Sequence, residues 1–251
     1  MVGEEHGMGR QDQPNSEISG ETGSQGAVII IADDHPLFCA ALGQAIKARI
    51  SEADIRETNS FHGVQALLDK GSADLILLDI NMPGMQGYSG LLYMRAQYPQ
   101  VPVAIVSAIE DETVIHSAIQ FGALGYIPKS LSLEDIGTAI EAIMDGEVWL
   151  PPGTSEAPSD DGGEDAKHAA RLQLLTPQQV RVLMYLSDGK LNKQIAHELS
   201  ISEATVKAHV SAILQKLKVN SRTQAVIIAG SLAAEDQAER EAKRAVRNET
   251  S

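Results

Sequence analysis

The sequence predicts an α/β chain, a five-stranded doubly wound parallel sheet followed by a second, small all-α domain of four helices. Three observations carry that expectation. Between residues 27 and 150, five short apolar runs alternate with stretches of helical period, the rhythm of βα units with helices on both faces of a sheet. Between 171 and 230 only helical periodicity remains. Charge divides at the same place: 27–150 carries 6 basic and 16 acidic residues and 171–230 carries 8 and 3, within a chain of net charge -14.

The strands are expected at 28–32, 55–60, 75–78, 103–106 and 125–127. Four of these runs are almost wholly apolar, as strands buried on both faces must be, and 55–60 is the weaker signal because charged residues interrupt it. Helical patterns fall between and after them, at 36–49, 62–70, 87–98, 111–121 and 132–144. In the second unit the helical patterns are 176–187, 192–199, 203–217 and 221–229.

Composition places the boundaries. Residues 1–26 have almost no aliphatic content and are expected to form a disordered N-terminal tail. Residues 27–150 make the first domain, 151–170 a polar, proline- and glycine-containing flexible linker, 171–230 the second domain and 231–251 a charged C-terminal tail. With 251 residues and 43% hydrophobic content, the chain is long enough for two cores. No apolar run is long enough to cross a bilayer and no signal-peptide core is present, which predicts a cytoplasmic protein with no membrane partner. The single cysteine, Cys39, excludes an intramolecular disulfide and reads as a buried structural thiol.

In a doubly wound sheet the strand C-terminal ends converge on one rim, where ligands bind. Asp33-Asp34 close the first strand, Asp79 the third, Ser107 the fourth and Lys129 the fifth. Three carboxylates at one rim repel each other, and a divalent cation relieves that repulsion. Mg2+ suits them because it takes oxygen ligands in an octahedron with several waters. Its ligands would be Asp33, Asp34, Asp79 and the backbone carbonyl of Asn81. Asp79 is then a nucleophile towards a phosphoryl group, with the Lys129 ammonium and Ser107 hydroxyl on its equatorial oxygens. Ala108 leaves room beside them. His35 reads as a helix-start residue rather than a ligand.

These residues make 27–150 resemble the receiver domain of two-component response regulators. The resemblance implies that Asp79 is the phosphoacceptor, that Asp33 and Asp34 are the acidic pair, and that Ser107 and Tyr126 form the switch. The segment Asp33-Asp34-His35-Pro36-Leu37-Phe38 is similar to the opening of the NarL/FixJ subgroup. Lys129 is followed by Ser130 where many receivers carry proline, which argues against a cis bond there.

The segments 192–199 and 203–217 have helix-turn-helix spacing, with Ser202 as N-cap of the second. Val206, Val210, Ile213, Leu214 and Leu217 share one face of that helix and are expected core, leaving Lys207, Ala208, Ser211 and Gln215 on the opposite face. Leu175-Thr176-Pro177, Asn192-Lys193-Gln194-Ile195-Ala196 and Ser221-Arg222-Thr223-Gln224-Ala225 extend a resemblance to the LuxR-type helix-turn-helix. It implies that Lys207, Ala208 and Ser211 face base edges, while Asn192, Lys193, Thr205 and Arg222 lie near phosphates. Gln178-Gln179 replaces the usual Arg-Glu, so an internal ion pair is expected to be missing. Leu191 replaces the usual capping serine, and Asn192 is the candidate substitute.

Together the resemblances imply a phosphorylation-controlled regulator of promoter DNA, with a sensor histidine kinase as phosphoryl donor and a homodimer as the phosphorylated or DNA-bound form. It would not be an enzyme. Two alternatives stay open: an unphosphorylated pseudo-receiver acting through protein contacts, and a phosphoaspartate hydrolase. The second is disfavoured because Asn81 stands where such enzymes want an acid.

Overall fold

A computed structural model describes residues 26–82, 87–154 and 164–230. The expected tails at 1–25 and 231–251, the centre of the expected linker and residues 83–86 lie outside the described residues.

The first unit runs β1 (Val28–Ala32), α1 (Pro36–Arg49), β2 (Asp54–Thr58), α2 (Phe61–Leu68), β3 (Leu75–Asp79), α3 (Ser89–Gln97), β4 (Val103–Ser107), α4 (Glu112–Gln120), β5 (Gly125–Pro128) and α5 (Leu133–Met144). The strands are all parallel, in the order β2-β1-β3-β4-β5. Alternation along each strand divides the core in two. Ile29, Ile31, Leu75, Leu77, Ala104 and Val106 face α1 and α5, where Leu42, Ile46, Ile136 and Ile140 meet them. Ile30, Ile76, Leu78, Val103 and Ile105 face the other way, into a core with Val64, Leu91 and Val114.

Local chemistry fixes the helix starts. Ser60, Asp111 and Ser132 cap α2, α4 and α5 by accepting backbone N–H bonds from Gly63, Thr113 and Asp135. Pro36 opens α1, where its missing N–H costs nothing. The second strand is Asp54–Thr58 rather than 55–60. It is an edge strand, so its solvated positions hold Asp54 and Glu57, and apolar content does not mark its limits.

The second unit holds α6 (Glu164–Gln173), α7 (Pro177–Ser187), α8 (Asn192–Glu198), α9 (Glu203–Leu217) and α10 (Arg222–Gly230). The four expected helices are α7 to α10. The linker expected over 151–170 needs correction, because α6 begins at Glu164 within it. Ala169 and Leu172 are buried, and α6 packs on α4 and α9. Neighbours therefore supply a burial that a strongly charged local sequence does not announce. The two units share one apolar cluster, with α7 packed on α3, and the Gln173 amide donates to the Gln120 carbonyl.

Candidate functional site

The chain crosses over between β1 and β3, adjacent strands whose connections leave on opposite sides of the sheet. That is the rim at which a crevice opens in such folds. Asp33 follows β1 directly, Asp79 ends β3, Ser107 ends β4 and Lys129 follows β5. Asp33, Asp79 and Ser107 are buried, and Asp34 is partly open to solvent.

Lys129 Nζ lies 2.6 Å from Asp33 Oδ2 and 2.8 Å from Asp79 Oδ2. The bond to Asp79 is an aligned hydrogen bond, whereas Asp33 Oδ2 is held by charge without an aligned donor. Burial opposes the Lys129 ammonium, but its bonds and charge contacts with Asp33 and Asp79 outweigh it and hold the pKa above the ordinary lysine value. The Phe38 ring lies under the same ammonium, 5.1 Å from its centroid. Asp79 Oδ1 accepts the Asn81 N–H at 3.2 Å, which fixes the carboxylate on its other side.

Ser107 Oγ accepts the Ile109 N–H at 3.1 Å, and the Tyr126 hydroxyl donates to the Ile109 carbonyl at 2.6 Å. Tyr126 is fully buried, and burial pushes its phenol up to about 12. The segment after β4 is thus gripped on both faces of one residue. Sequence reasoning missed a second tyrosine, Tyr88, which is fully buried against Phe121 and donates its hydroxyl to the Val114 carbonyl of α4 at 2.5 Å. Its target lies 26 residues further on, beyond the reach of any local pattern.

His35 starts α1 as its N-cap residue, as the sequence reading expects, without a side-chain cap bond. Instead Nδ1 lies 3.0 Å from Asp33 Oδ1, 2.9 Å from Asp34 Oδ1 and 4.0 Å from Asp79 Oδ2. One ligand atom from each of Asp33, Asp34, His35 and Asp79 falls within 4.8 Å of the others. Three carboxylates against the single Lys129 ammonium leave an excess of negative charge, two of the acids being buried. That donor set fits a hard divalent cation such as Mg2+.

In the second unit, Ser202 caps α9 by accepting the Thr205 N–H at 3.0 Å, and Ser200 turns the chain with φ 53. Val206, Ile213 and Leu217 are buried, with Val210 and Leu214 packed beside them. Lys207, Ala208 and Ser211 are exposed on the far face, so the first unit's contact with α6 and α7 leaves that face open. Lys207 pairs with Glu203 at 3.2 Å, and Ser211 Oγ donates to the Lys207 carbonyl at 3.0 Å. Lys193 and Thr205 are exposed as well. Arg222 is half-buried, its guanidinium donating to the Lys190 carbonyl and, at 3.5 Å, to Asn192 Oδ1.

The two departures in this unit resolve differently. Gln179 Oε1 accepts both the Thr176 N–H at 3.0 Å and Lys216 Nζ at 2.8 Å. A neutral amide thus stands where the expected acid would be, and a charge-assisted hydrogen bond replaces the ion pair. Asn192 does not cap α8. Leu191 holds the N-cap position without a side-chain bond, and Gln194 Oε1 accepts the Leu191 N–H at 2.7 Å, one half of a capping box.

A parallel sheet with an acidic rim is thus joined to a helix-turn-helix whose second helix leaves Lys207, Ala208 and Ser211 exposed, the architecture of a two-module regulator. Residues 29–141 match the response regulator receiver domain family, and residues 173–229 match the family of bacterial regulatory proteins of the luxR type. The chain is 44% identical over 210 residues to a glycerol metabolism activator of Pseudomonas putida, covering 81% of this chain and 95% of the relative. It is 32% identical over 203 residues to the nitrate/nitrite response regulator protein NarL of Escherichia coli (strain K12), covering 80% and 94%. Among solved structures it is similar to the RcsB response regulator of Salmonella typhimurium, at 20% identity, with 82% and 98% of the chains covered and a TM-score of 0.49. The chain belongs to the NarL/LuxR family of response regulators, with a receiver domain and a LuxR-type DNA-binding domain. Among the described residues no helix is long and apolar enough to cross a membrane.

Proposed function

We propose that this protein is a transcriptional regulator whose promoter binding is controlled by phosphorylation of Asp79. The observation that carries the reading is the position of the Asp79 carboxylate, buried at the end of β3 with Lys129 Nζ at 2.8 Å. Around it on one rim stand the acidic pair and a serine at the end of β4.

The donor is the phosphohistidine of a sensor kinase. An Asp79 carboxylate oxygen attacks phosphorus, the bond to the donor's histidine nitrogen breaks, and the electron pair leaves with that nitrogen. Asp33, Asp34, Asp79 and the Asn81 carbonyl would hold a Mg2+ ion, which would supply charge neutralisation for the incoming phosphoryl group. Lys129 sits where its ammonium neutralises an equatorial oxygen. Ser107 Oγ leaves the Ile109 N–H to donate to another, which alters the grip that Ile109 shares with Tyr126. Because α4 begins three residues beyond Ile109 and packs on α6, a change there reaches the DNA-binding unit. Residues 27–150 and 171–230 act as the two functional modules.

DNA binding follows from the open face of α9. Lys193, Thr205 and Arg222, with Asn192 beside them, position the unit on phosphates, and Lys207, Ala208 and Ser211 meet base edges. A homodimer would read two half-sites. The experiment is intact-mass analysis after incubation with a small acyl phosphate and Mg2+. A single adduct on the wild type and none on Asp79→Asn is expected. Phosphate release without an adduct would indicate a hydrolase, and no reaction from either an acyl phosphate or a kinase donor would indicate a pseudo-receiver.

A further inference from the structure

We propose that Glu203 and Lys207 act as one unit that selects a G·C base pair in each half-site, Lys207 donating to guanine O6 and N7 and Glu203 accepting from cytosine N4. The inference rests on the reading of α9 as the helix that meets base edges, and it adds an acidic, sequence-selecting residue to that helix. Glu203 is the first residue of α9, and the helical repeat sets Glu203, Lys207 and Ser211 on one exposed stripe. Glu203 Oε1 lies 3.2 Å from Lys207 Nζ, and the two side chains are 48% and 66% exposed, so both groups are accessible to a ligand on that face.

An acid on this face has few possible partners in DNA. Phosphates repel it, and most groups on the major-groove edge are acceptors: guanine N7 and O6, adenine N7 and thymine O4. The donors there are the amino groups at cytosine N4 and adenine N6. Along a G·C pair the edge runs acceptor, acceptor, donor, with N4 at the end. Along an A·T pair it runs acceptor, donor, acceptor, so a carboxylate on N6 has an acceptor on either side. A lysine beside a glutamate is a donor beside an acceptor. It complements the G·C order and is mismatched to the A·T order.

The spacing agrees. Guanine O6 and cytosine N4 are hydrogen-bonded to each other and stand about 2.9 Å apart, close to the 3.2 Å between Lys207 Nζ and Glu203 Oε1. Within the free protein the two form a surface ion pair of small worth, so little is lost when each turns to its base. Ala204 and Ala208 are exposed beside the stripe, and their small side chains let the helix approach the base edges closely. A carboxylate in the first turn also favours the helix itself, but that role is indifferent to DNA sequence.

The experiment is selection of binding sites from a randomised duplex library by the full chain, untreated and after incubation with a small acyl phosphate and Mg2+. Wild type, Glu203→Gln and Lys207→Ala are compared. The wild-type motif is expected to carry a G·C pair at one position of each half-site. Glu203→Gln should convert that position to A·T, because glutamine pairs with adenine N6 and N7, and should lower the affinity ratio of the G·C site to the A·T site by about tenfold or more. Lys207→Ala should weaken the preference at the same position. A Glu203→Gln protein that selects the wild-type motif unchanged, or that binds every sequence more tightly by one common factor, would overturn the role of Glu203 and leave DNA binding by α9 intact. Effects of the two variants at different positions would overturn their action on one base pair. Enrichment of no motif by the wild type in either state would overturn the DNA-binding reading and this inference with it.

Discussion

The hydroxyl of Tyr126 donates to the carbonyl of Ile109 at 2.6 Å, while the Ile109 N–H is held by Ser107 Oγ at 3.1 Å. The loop that leaves the phosphoacceptor rim is therefore tied to β5 by its carbonyl and to β4 by its amide. Both bonds are made by side chains that the family resemblance assigns to the switch.

That burial makes Tyr126 a pH-dependent stabiliser. Its folded pKa is raised to about 12, chiefly by desolvation, above an unfolded value of about 10. A group whose folded pKa is raised contributes fully below the unfolded value and loses that contribution as pH rises through the folded one. The wild type should therefore lose about 2 to 3 kcal/mol relative to Tyr126→Phe between about pH 10 and pH 12. Near neutral pH the order reverses, and Tyr126→Phe should be less stable by about 1 kcal/mol for the lost bond to Ile109. Urea unfolding of both proteins at neutral and alkaline pH measures the crossover.

Tyr88 grips α4, the helix that follows that loop, through the Val114 carbonyl and the Phe121 ring. Tyr88→Phe keeps the ring and leaves that carbonyl without this donor, at a cost of about 1 to 2 kcal/mol. The loss should be local. Hydrogen exchange should quicken over 114–121 in α4 and leave β1 and β3 protected, whereas uniform quickening would mean that Tyr88 supports the whole domain.

What the sequence disclosed, and what it hid, follows from where each residue finds its partners. Ile29 to Ala32 and Leu75 to Leu78 are buried on both faces, so their strands are written in the residues themselves. Asp33, Asp79, Ser107 and Lys129 were found because strand ends fix their place in the chain and the sheet brings those ends together. β2 blurred because an edge strand tolerates charge at its solvated positions. Ala169 and Leu172 concealed α6, since α4 and α9 provide the burial. His35 starts α1 as its place in the sequence implies, while the contact of its ring with the acids depends on the turn from β1 into α1, which no local pattern describes.

Gln179 has a double acceptor role that a carboxylate would perform with charge. Its oxygen receives the Thr176 N–H and the Lys216 ammonium, and the residue is buried. Gln179→Leu strands the Thr176 N–H and leaves Lys216 Nζ its bond to the Leu174 carbonyl, so it should cost about 1 to 2 kcal/mol. Gln179→Glu keeps both bonds and adds attraction to Lys216, so it should equal the wild type or exceed it by about 1 kcal/mol. Thermal unfolding of the three proteins ranks them, and a Glu variant as unstable as the Leu variant would show that desolvation of the acid outweighs its pairing.

Lys193 and Arg222 are both assigned to phosphates, yet their surroundings differ. Lys193 is exposed, whereas Arg222 is half-buried and holds the Lys190 carbonyl and Asn192 Oδ1 across the turn into α8. Lys193→Ala should remove one phosphate contact, lowering the salt-dependence slope of DNA binding by about 1 with fold stability unchanged. Arg222→Ala should lower the slope similarly and also destabilise the domain by about 1 to 2 kcal/mol, because the Lys190 carbonyl loses its donor. Binding titrations over a range of salt, paired with urea unfolding of each variant, separate the two effects. An Arg222→Ala protein with unchanged slope and lowered stability would assign that guanidinium to the turn alone.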